Sequence, residues 1–222
     1  MSASDRFQRP TRWVHQLRQT DFTYFRVVGW GWYFLSTELD DYSQNIISWR
    51  LTSAMAAADV TDTLKVTWLS EARVCHKPRL LSDNGPCYIS GELKSWLIYQ
   101  NIEHTRGAPY YPMTQGKIER YHRSMKIIVK LEHYYYPCGL ERAIAEWVGH
   151  YNHERYHESL DNVSPADVHE GRRNDILDQR AMMKARTMSH RNIHNLRLAG
   201  KTGEVTDRKV SLKNWCDSSQ MI

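Results

Sequence analysis

The chain of 222 residues contains only four cysteines, and their positions exclude two common roles. Cys75, Cys87, Cys138 and Cys216 form no C-x-x-C pair, so the sequence supports neither a zinc ribbon nor a dithiol redox motif. Scattered cysteines without a signal peptide are typical of reduced thiols. We therefore expect a cytoplasmic protein.

Long apolar runs and internal repeats are also missing. No stretch approaches the roughly 20 apolar residues of a membrane-spanning helix, so we expect no membrane partner. What remains is an ordinary globular composition, 41% hydrophobic and 25% charged, with a net charge of +5. This positive balance favours a polyanionic partner such as nucleic acid.

The first half of the chain predicts a mixed sheet with helices on its faces. Short runs of β-branched and aromatic residues between turn signals indicate strands, and apolar residues at helical spacing indicate helices. The predicted strands are 22–28, 32–39, 45–51, 78–82 and 101–105, with one helix over 53–72 and another after Ser90. This order, βββαβαβ, gives an α/β fold with five strands.

The second half predicts helices. A loop over 106–114 precedes a helix with Ile118, Tyr121 and Met125 on its apolar stripe, and Pro137 with Gly139 is expected to end that element. A further amphipathic helix and a helix capped by Ser164 follow. The predicted regions are an N-terminal arm (1–18), the α/β core (19–170), a basic helical extension (171–200) and an unpatterned tail (201–222).

Three carboxylates suggest a metal site. Asp21 lies at the start of the first predicted strand, Asp83 at the end of the fourth, and Glu119 in a predicted helix after a gap of 35 residues. Open α/β sheets bind ligands at strand ends, and two-metal sites hold both oxygens of a phosphoryl displacement. We expect these acids to bind two Mg²⁺ ions, or Mn²⁺ as a substitute. Asp40 and Asp41 compete as ligands, but their turn positions favour capping roles.

The residues around Glu119 indicate binding to DNA. Cations spaced along one helix suit a phosphate backbone, and an aromatic residue in the preceding loop suits stacking on a splayed base. The predicted DNA contacts are Gln115, Lys117, Arg123, Lys126 and Tyr110. His153 and His157 have helical spacing, but no H-E-x-x-H pattern surrounds them, so a zinc site is disfavoured.

Four segments carry a family resemblance. They are QTDFTYFRVVGWGWYFLSTELDDYS, LLSDNGPCYISGEL, HTRGAPYYPMTQGKIERYHRSMK and HYNHERYHESLDNVSPADV. Together they resemble the catalytic core of DDE transposases of bacterial insertion sequences, a group similar to retroviral integrase. The resemblance implies an RNase H-like fold over about residues 15–190. It assigns metal binding to Asp21, Asp83 and Glu119, and contact with the transposon end to Lys126.

The resemblance also implies an activity and partners. A metal-activated water cuts a DNA strand, and the freed 3′-hydroxyl then attacks another phosphodiester without a covalent protein–DNA intermediate. The partners implied are transposon ends and target DNA, held by a multimer in the bacterial nucleoid.

The sequence departs from this family pattern at both ends. We expect a helix-turn-helix region ahead of such a core, and the short arm leaves no room for it. Residues 201–222 do not resemble the family. An upstream helix-turn-helix protein or reading frame is therefore an expected partner. Two alternatives stay open, namely a non-catalytic DNA-binding remnant of a truncated or split transposase and an RNase H-type nuclease.

Overall fold

The computed structural model describes residues 11–70, 77–107 and 115–198. Its centre is a five-stranded sheet in the order β3-β2-β1-β4-β5. The strands are β1 (Leu17–Val27), β2 (Gly31–Asp40), β3 (Ile46–Thr52), β4 (Arg79–Ser82) and β5 (His104–Arg106). The first three strands are antiparallel, whereas β4 runs parallel to β1 and β5 parallel to β4. The predicted mixed sheet is confirmed.

Helices separate the last three strands along the chain and continue after β5. They are α1 (Ala57–Ser70), α2 (Pro86–Ile89), α3 (Gly91–Tyr99), α4 (Gly116–Val129), α5 (Pro137–His153), α6 (Pro165–His169) and α7 (Arg173–Leu198). A short 3-10 turn spans Glu158–Leu160. Among the described residues, no helix is long and apolar enough to cross a membrane.

Two apolar clusters lie on opposite faces of the sheet. Alternate side chains of β1 point to opposite faces, so Phe25 joins the cluster formed with α4 and α5, whereas Phe22 packs against the cluster of α1 and α3. The predicted apolar stripe of α4 is buried, including Ile118 and Met125 at 0% exposure. Helix α4 therefore lies across one face and presents its first polar turn near β1.

Several element boundaries differ from the sequence prediction. Helix α1 spans Ala57–Ser70 instead of 53–72. Strand β1 begins at Leu17 because Leu17–Gln19 pair with β4, a distant partner that the local pattern does not reveal. Helix α4 ends at Val129, and Pro137 instead begins α5. A proline at the first helical position costs nothing, since its missing N–H would have no partner in the helix. Strand β5 is shifted to His104–Arg106.

A buried ion pair joins the two longest strands. The Arg18 Nη1 donates to Glu38 Oε1 at 2.8 Å, and both side chains are completely buried. Ser48 on β3 donates its hydroxyl to Glu38 Oε2, also at 2.8 Å. Glu38 lies opposite Thr20, one residue before Asp21 in the β1–β2 register. The ion pair therefore stabilises the part of β1 that leads to Asp21.

The neighbouring acids at the end of β2 make structural hydrogen bonds. Asp40 Oδ2 accepts from the backbone N–H and the hydroxyl of Ser43, both at 2.8 Å, which closes the turn before β3. Asp41 Oδ1 accepts from Gln19, and Asp41 Oδ2 accepts from Lys117. Asp40 thus has the turn role that the sequence favoured.

The end of the chain forms a second unit. The contacts divide the structure after Asn174, whereas the sequence predicts the core to end at residue 170.

The Ser164 hydroxyl accepts from the Asp167 N–H and is thus the N-cap of α6, as predicted. Helix α7 is 26 residues long, and its side chains are mostly exposed. The predicted tail over 201–222 and the first ten residues of the arm lie outside the described residues.

Candidate functional site

Asp21 lies where the sheet opens beside β1. The pairing of β1 with β4 covers only Leu17–Gln19, so Asp21 follows the last paired residue by two positions. Its side chain is 19% exposed. The Phe22 N–H donates to Asp21 Oδ1 at 2.8 Å, and His122 Nδ1 lies 3.4 Å from Oδ2. One oxygen is therefore held by its own backbone, and the other faces α4.

Asp83 immediately follows β4 and is held by a tight turn. The Gly85 N–H donates to Asp83 Oδ1 at 2.9 Å. A Cβ at Gly85 would lie 3.0 Å from the same oxygen, so a side chain there would push against the carboxylate. Burial raises the pKa of Asp83, the Gly85 hydrogen bond opposes the rise, and the charge of Asp21 adds to it. The two carboxylates are therefore electrostatic neighbours.

Glu119 lies in the first turn of α4 and reaches the same region as Asp21. Both residues line an open cleft of about 450 Å³. Arg123 and Lys126, one and two turns further along α4, line it as well. The cleft thus combines two of the predicted acids with two of the predicted DNA contacts.

The three acids share one edge of the fold without forming a closed metal site. Among the described residues, no group of three or more His, Cys, Asp or Glu side chains is close enough to hold a metal ion. Their chemistry still fits Mg²⁺, because carboxylate oxygens are its preferred ligands. The electrostatics of Asp83 also suit a metal ion. The charge of Asp21 contributes to the raised pKa of Asp83, and a cation between the two carboxylates would offset their repulsion.

Two of the predicted DNA contacts do not join this cleft. Gln115 is 6% exposed, and the Lys117 ammonium donates to Asp41 Oδ2 at 2.8 Å and to the Asp41 carbonyl at 2.7 Å. Gln115 is therefore buried, and Lys117 connects α4 to the turn that follows β2. Tyr110 lies outside the described residues. The structure supports Arg123 and Lys126 as cations beside the acids, and it does not support Gln115 or Lys117 in that position.

His122 is a site residue that the sequence reasoning did not assign. It is 5% exposed, with Nδ1 3.4 Å from Asp21 and Nε2 3.4 Å from the Thr37 hydroxyl. Thr37 lies opposite Asp21 in the β1–β2 register. The signal was available, because His122 follows Glu119 by three positions and so shares its helical face. We interpret His122 as a positioning residue for Asp21.

Lys126 is partly buried next to a second lysine. Burial lowers the pKa of Lys126, the charge of Lys130 lowers it further, and the charge of Asp21 opposes both. The Lys126 ammonium lies 4.5 Å from the centroid of the Tyr24 ring. Lys126 is therefore held between the acid cleft and an aromatic ring on β1.

The five-stranded mixed sheet with its flanking helices defines an RNase H-like fold of the integrase-core type. Comparison with known families agrees with this class. Residues 13–112 match one family described as an integrase core domain, and residues 100–165 match a second family with the same description. Residues 13–165 therefore belong to the integrase core domain family, within the retroviral integrase superfamily.

Solved structures support the fold. The simian T-cell lymphotropic virus intasome in complex with PP2A regulatory subunit B56 gamma aligns with a TM-score of 0.60 at 21% identity, covering 72% of this chain and 56% of that one. The HTLV-2 integrase catalytic core domain in complex with magnesium, in its trimeric form, aligns with a TM-score of 0.55 at 19% identity, covering 71% and 97%. At these identities the likeness shows the fold.

Curated relatives match over short segments. A mouse IgE-binding protein is 43% identical over 56 residues, which is 25% of this chain and 10% of the relative. The Gag-Pol polyprotein of bovine immunodeficiency virus is 45% identical over 47 residues, which is 21% of this chain and 3% of the relative. The chain thus matches only a small part of the length of these relatives. They support the superfamily and leave the narrower insertion-sequence assignment as a hypothesis.

Proposed function

We propose that the chain is the catalytic core of an insertion-sequence transposase, which cleaves DNA strands and joins them to a target with divalent metal ions. The observation that carries the proposal is the cleft, where Asp21 and Glu119 lie beside Arg123 and Lys126. Asp83, whose pKa responds to Asp21, supplies the third acid. Acids flanked by unpaired cations suit a metal-dependent reaction on a phosphate backbone.

The residues of the chain would prepare this reaction in three ways. Asp21, Asp83 and Glu119 would hold two Mg²⁺ or Mn²⁺ ions, and the chemistry that such ions supply is activation of the attacking oxygen and stabilisation of the leaving oxygen. Hydrogen bonds fix two of the acids beforehand, from the Phe22 N–H to Asp21 and from the Gly85 N–H to Asp83. Preorganised ligands need less rearrangement when charge develops.

The cations of α4 would position the DNA. Arg123 is exposed, and the Lys126 ammonium is held near Asp21. Contacts to phosphates fix the register of a nucleic acid without reading its sequence. We expect recognition of the element ends to need a helix-turn-helix partner, and we expect a multimer to hold two DNA ends in the bacterial nucleoid.

A strand-transfer assay tests the proposal. The substrate is a pre-cut 3′-hydroxyl end taken from the DNA that flanks the gene, with Mg²⁺ or Mn²⁺ and a plasmid target. We expect Asp83→Asn and Glu119→Gln to lower the rate at least about a hundredfold, since even outer partners of metal ligands cost 10–100-fold. Glu141→Gln, an exposed acid on α5, is the matched control and should keep full activity.

A second candidate is a DNA-binding remnant without catalysis. It is favoured by one observation, that the described residues contain no preformed group of three metal-binding side chains. Salt-sensitive DNA binding without product under any metal would favour the remnant. Single-turnover strand transfer that needs Asp83 would exclude it, and preference for an RNA–DNA hybrid would favour an RNase H-type nuclease instead.

A further inference from the structure

The tip of the β1–β2 hairpin extends beyond the rest of the sheet. In the described part of the chain, β4 pairs with β1 only up to Gln19, and β3 pairs with β2 only as far as Phe34. The tip is therefore two-stranded. Because Arg26 pairs with Trp32, and Tyr24 precedes Arg26 by two residues, these three side chains share one face. Phe22, two residues before Tyr24 on the same face, packs against the cluster of α1 and α3, whereas Tyr24 and Trp32 lie beyond that cluster.

Two aromatic rings on this face are in contact and exposed. Tyr24 is 50% exposed and Trp32 is 53% exposed. Their centroids lie 5.4 Å apart at an interplanar angle of 79°, an edge-to-face arrangement. This contact fixes the two rings relative to each other, while half of each ring stays open to solvent. Exposed aromatic groups that are held rigid are typical of binding surfaces.

Two lysines, Lys126 in α4 and Lys130 as its C-cap, complete what we call the hairpin surface, which Tyr24, Trp32, Lys126 and Lys130 form. The Tyr24 centroid lies 4.5 Å from the Lys126 ammonium and 5.8 Å from that of Lys130. Within the described ranges, neither lysine forms an ion pair with a carboxylate. Two like charges held beside one ring repel each other, so an anion placed between them would be stabilised.

The hairpin surface continues directly into the acid cleft. Lys126 lines the cleft with Asp21 and Glu119 and also contacts Tyr24. Tyr24 follows Asp21 by three residues on β1. A DNA strand whose reacting phosphate lies at the acids would therefore place its next nucleotides along this surface.

We propose that Trp32, held edge-to-face by Tyr24, stacks on an unpaired base at the DNA end, while Lys126 and Lys130 bind the phosphates beside it. The inference rests on the proposed function, because it assumes that the acids act on DNA. Bases in a duplex are covered on both faces by their neighbours, so an aromatic side chain can stack only on a base that has left the helix. The hairpin surface thus selects ends whose terminal pairs are open.

Equilibrium binding of the full chain to two labelled duplexes tests the proposal. The two duplexes share one arbitrary sequence. One carries unpaired bases at its 3′ end, and the other has a fully paired blunt end. Anisotropy is measured in EDTA, so that neither metal nor turnover is needed. We expect Trp32→Leu to weaken binding of the unpaired end about tenfold, the usual loss for a stacked base. Binding of the blunt end should stay within about twofold.

Three further variants sharpen the test. Trp30→Leu removes a neighbouring tryptophan that is 60% exposed in the turn, and it should change neither affinity. Trp32→Tyr keeps an aromatic face and should keep most of the preference for the unpaired end. Lys130→Gln should weaken both DNAs and reduce the salt dependence by about one ion. Quenching of 2-aminopurine in the unpaired end by the wild type, but not by Trp32→Leu, would report the stacking directly.

Several results would overturn this inference. One is that the wild type binds the unpaired and the blunt end with equal affinity. Another is that Trp32→Leu loses equal affinity for the two DNAs. A Trp30→Leu variant that loses as much affinity for the unpaired end as Trp32→Leu would be a third such result. A dimer that dissociates in Trp32→Leu while DNA binding is unchanged would make the surface a contact between copies of the chain. Because binding is measured without turnover, these results are separate from failure of strand transfer.

Discussion

Replacing Arg18 by methionine tests whether the buried ion pair stabilises the strand that carries Asp21. Glu38 accepts from Arg18 and from Ser48, and both members of the pair are completely buried. The variant takes the Arg18 cation away from the buried Glu38 carboxylate. Removal of one partner from a buried pair costs about 3–5 kcal/mol, because the remaining charge is uncompensated.

Urea denaturation followed by tryptophan fluorescence measures the loss. With a urea dependence of about 2–3 kcal/mol per molar, a loss of about 4 kcal/mol lowers the midpoint by about 1.3–2 M. Arg50→Met is the matched control, because Arg50 forms an ion pair of 2.7 Å with Asp62 in which the side chains are 49% and 39% exposed. An exposed pair contributes about 0–1 kcal/mol, so its midpoint should hardly move.

The double variant Arg18→Met/Glu38→Leu separates charge from packing. Replacing both partners by apolar side chains removes the stranded carboxylate, so most of the lost stability should return. If Arg18→Met costs no more than Arg50→Met, the reasoning about the buried charge is refuted. If the double variant stays as unstable as the single one, the loss comes from packing.

Two further predictions concern titration. Asp21→Asn should lower the pKa of Asp83, because the Asp21 charge is one of the causes that raise it, and ¹³C NMR of the labelled carboxyl measures the change. Burial lowers the pKa of His104 from 6.5 to about 4, so the folded chain binds fewer protons than the unfolded chain between these values. The free energy of unfolding should therefore decrease as the pH is lowered from 6.5 to 4. Urea titrations at each pH measure it, and His104→Gln should make the decrease smaller. An equally steep decrease in His104→Gln would contradict the lowered pKa of His104.

The sequence predicted the elements better than their edges, for a physical reason. The aromatic and β-branched run of β1 was visible locally, but its start at Leu17 depends on pairing with β4, which is some 60 residues away in the chain. Pro137 gave an ambiguous signal, since proline is found both after helices and at their first position. Local patterns carry propensity, whereas pairing and packing decide where an element ends.

In the candidate site, too, local patterns predicted some features, whereas others depend on tertiary packing. The spacing of Asp83 and Glu119 and the helical offset of Lys126 were readable in the sequence, and the structure brings Glu119 and Lys126 into one cleft with Asp21. The burial of Gln115 was not readable, because it depends on how α4 docks on the sheet. The spacing from Glu119 places His122 on the same helical face, but the contact of His122 with Asp21 depends again on how α4 docks on the sheet.

The turn between β2 and β3 is completed by residues from the far end of the core. Asn152 bonds both backbone groups of Ile46 at 2.9 Å, and the Ser43 hydroxyl lies 3.1 Å from His169 Nδ1. During synthesis, more than a hundred further residues must therefore be added after this turn before Asn152 and His169 are available to it. Contacts of such sequence separation form late and slow folding. A chaperone that shields this hairpin in the nascent chain would act on the interval between its synthesis and that of α6.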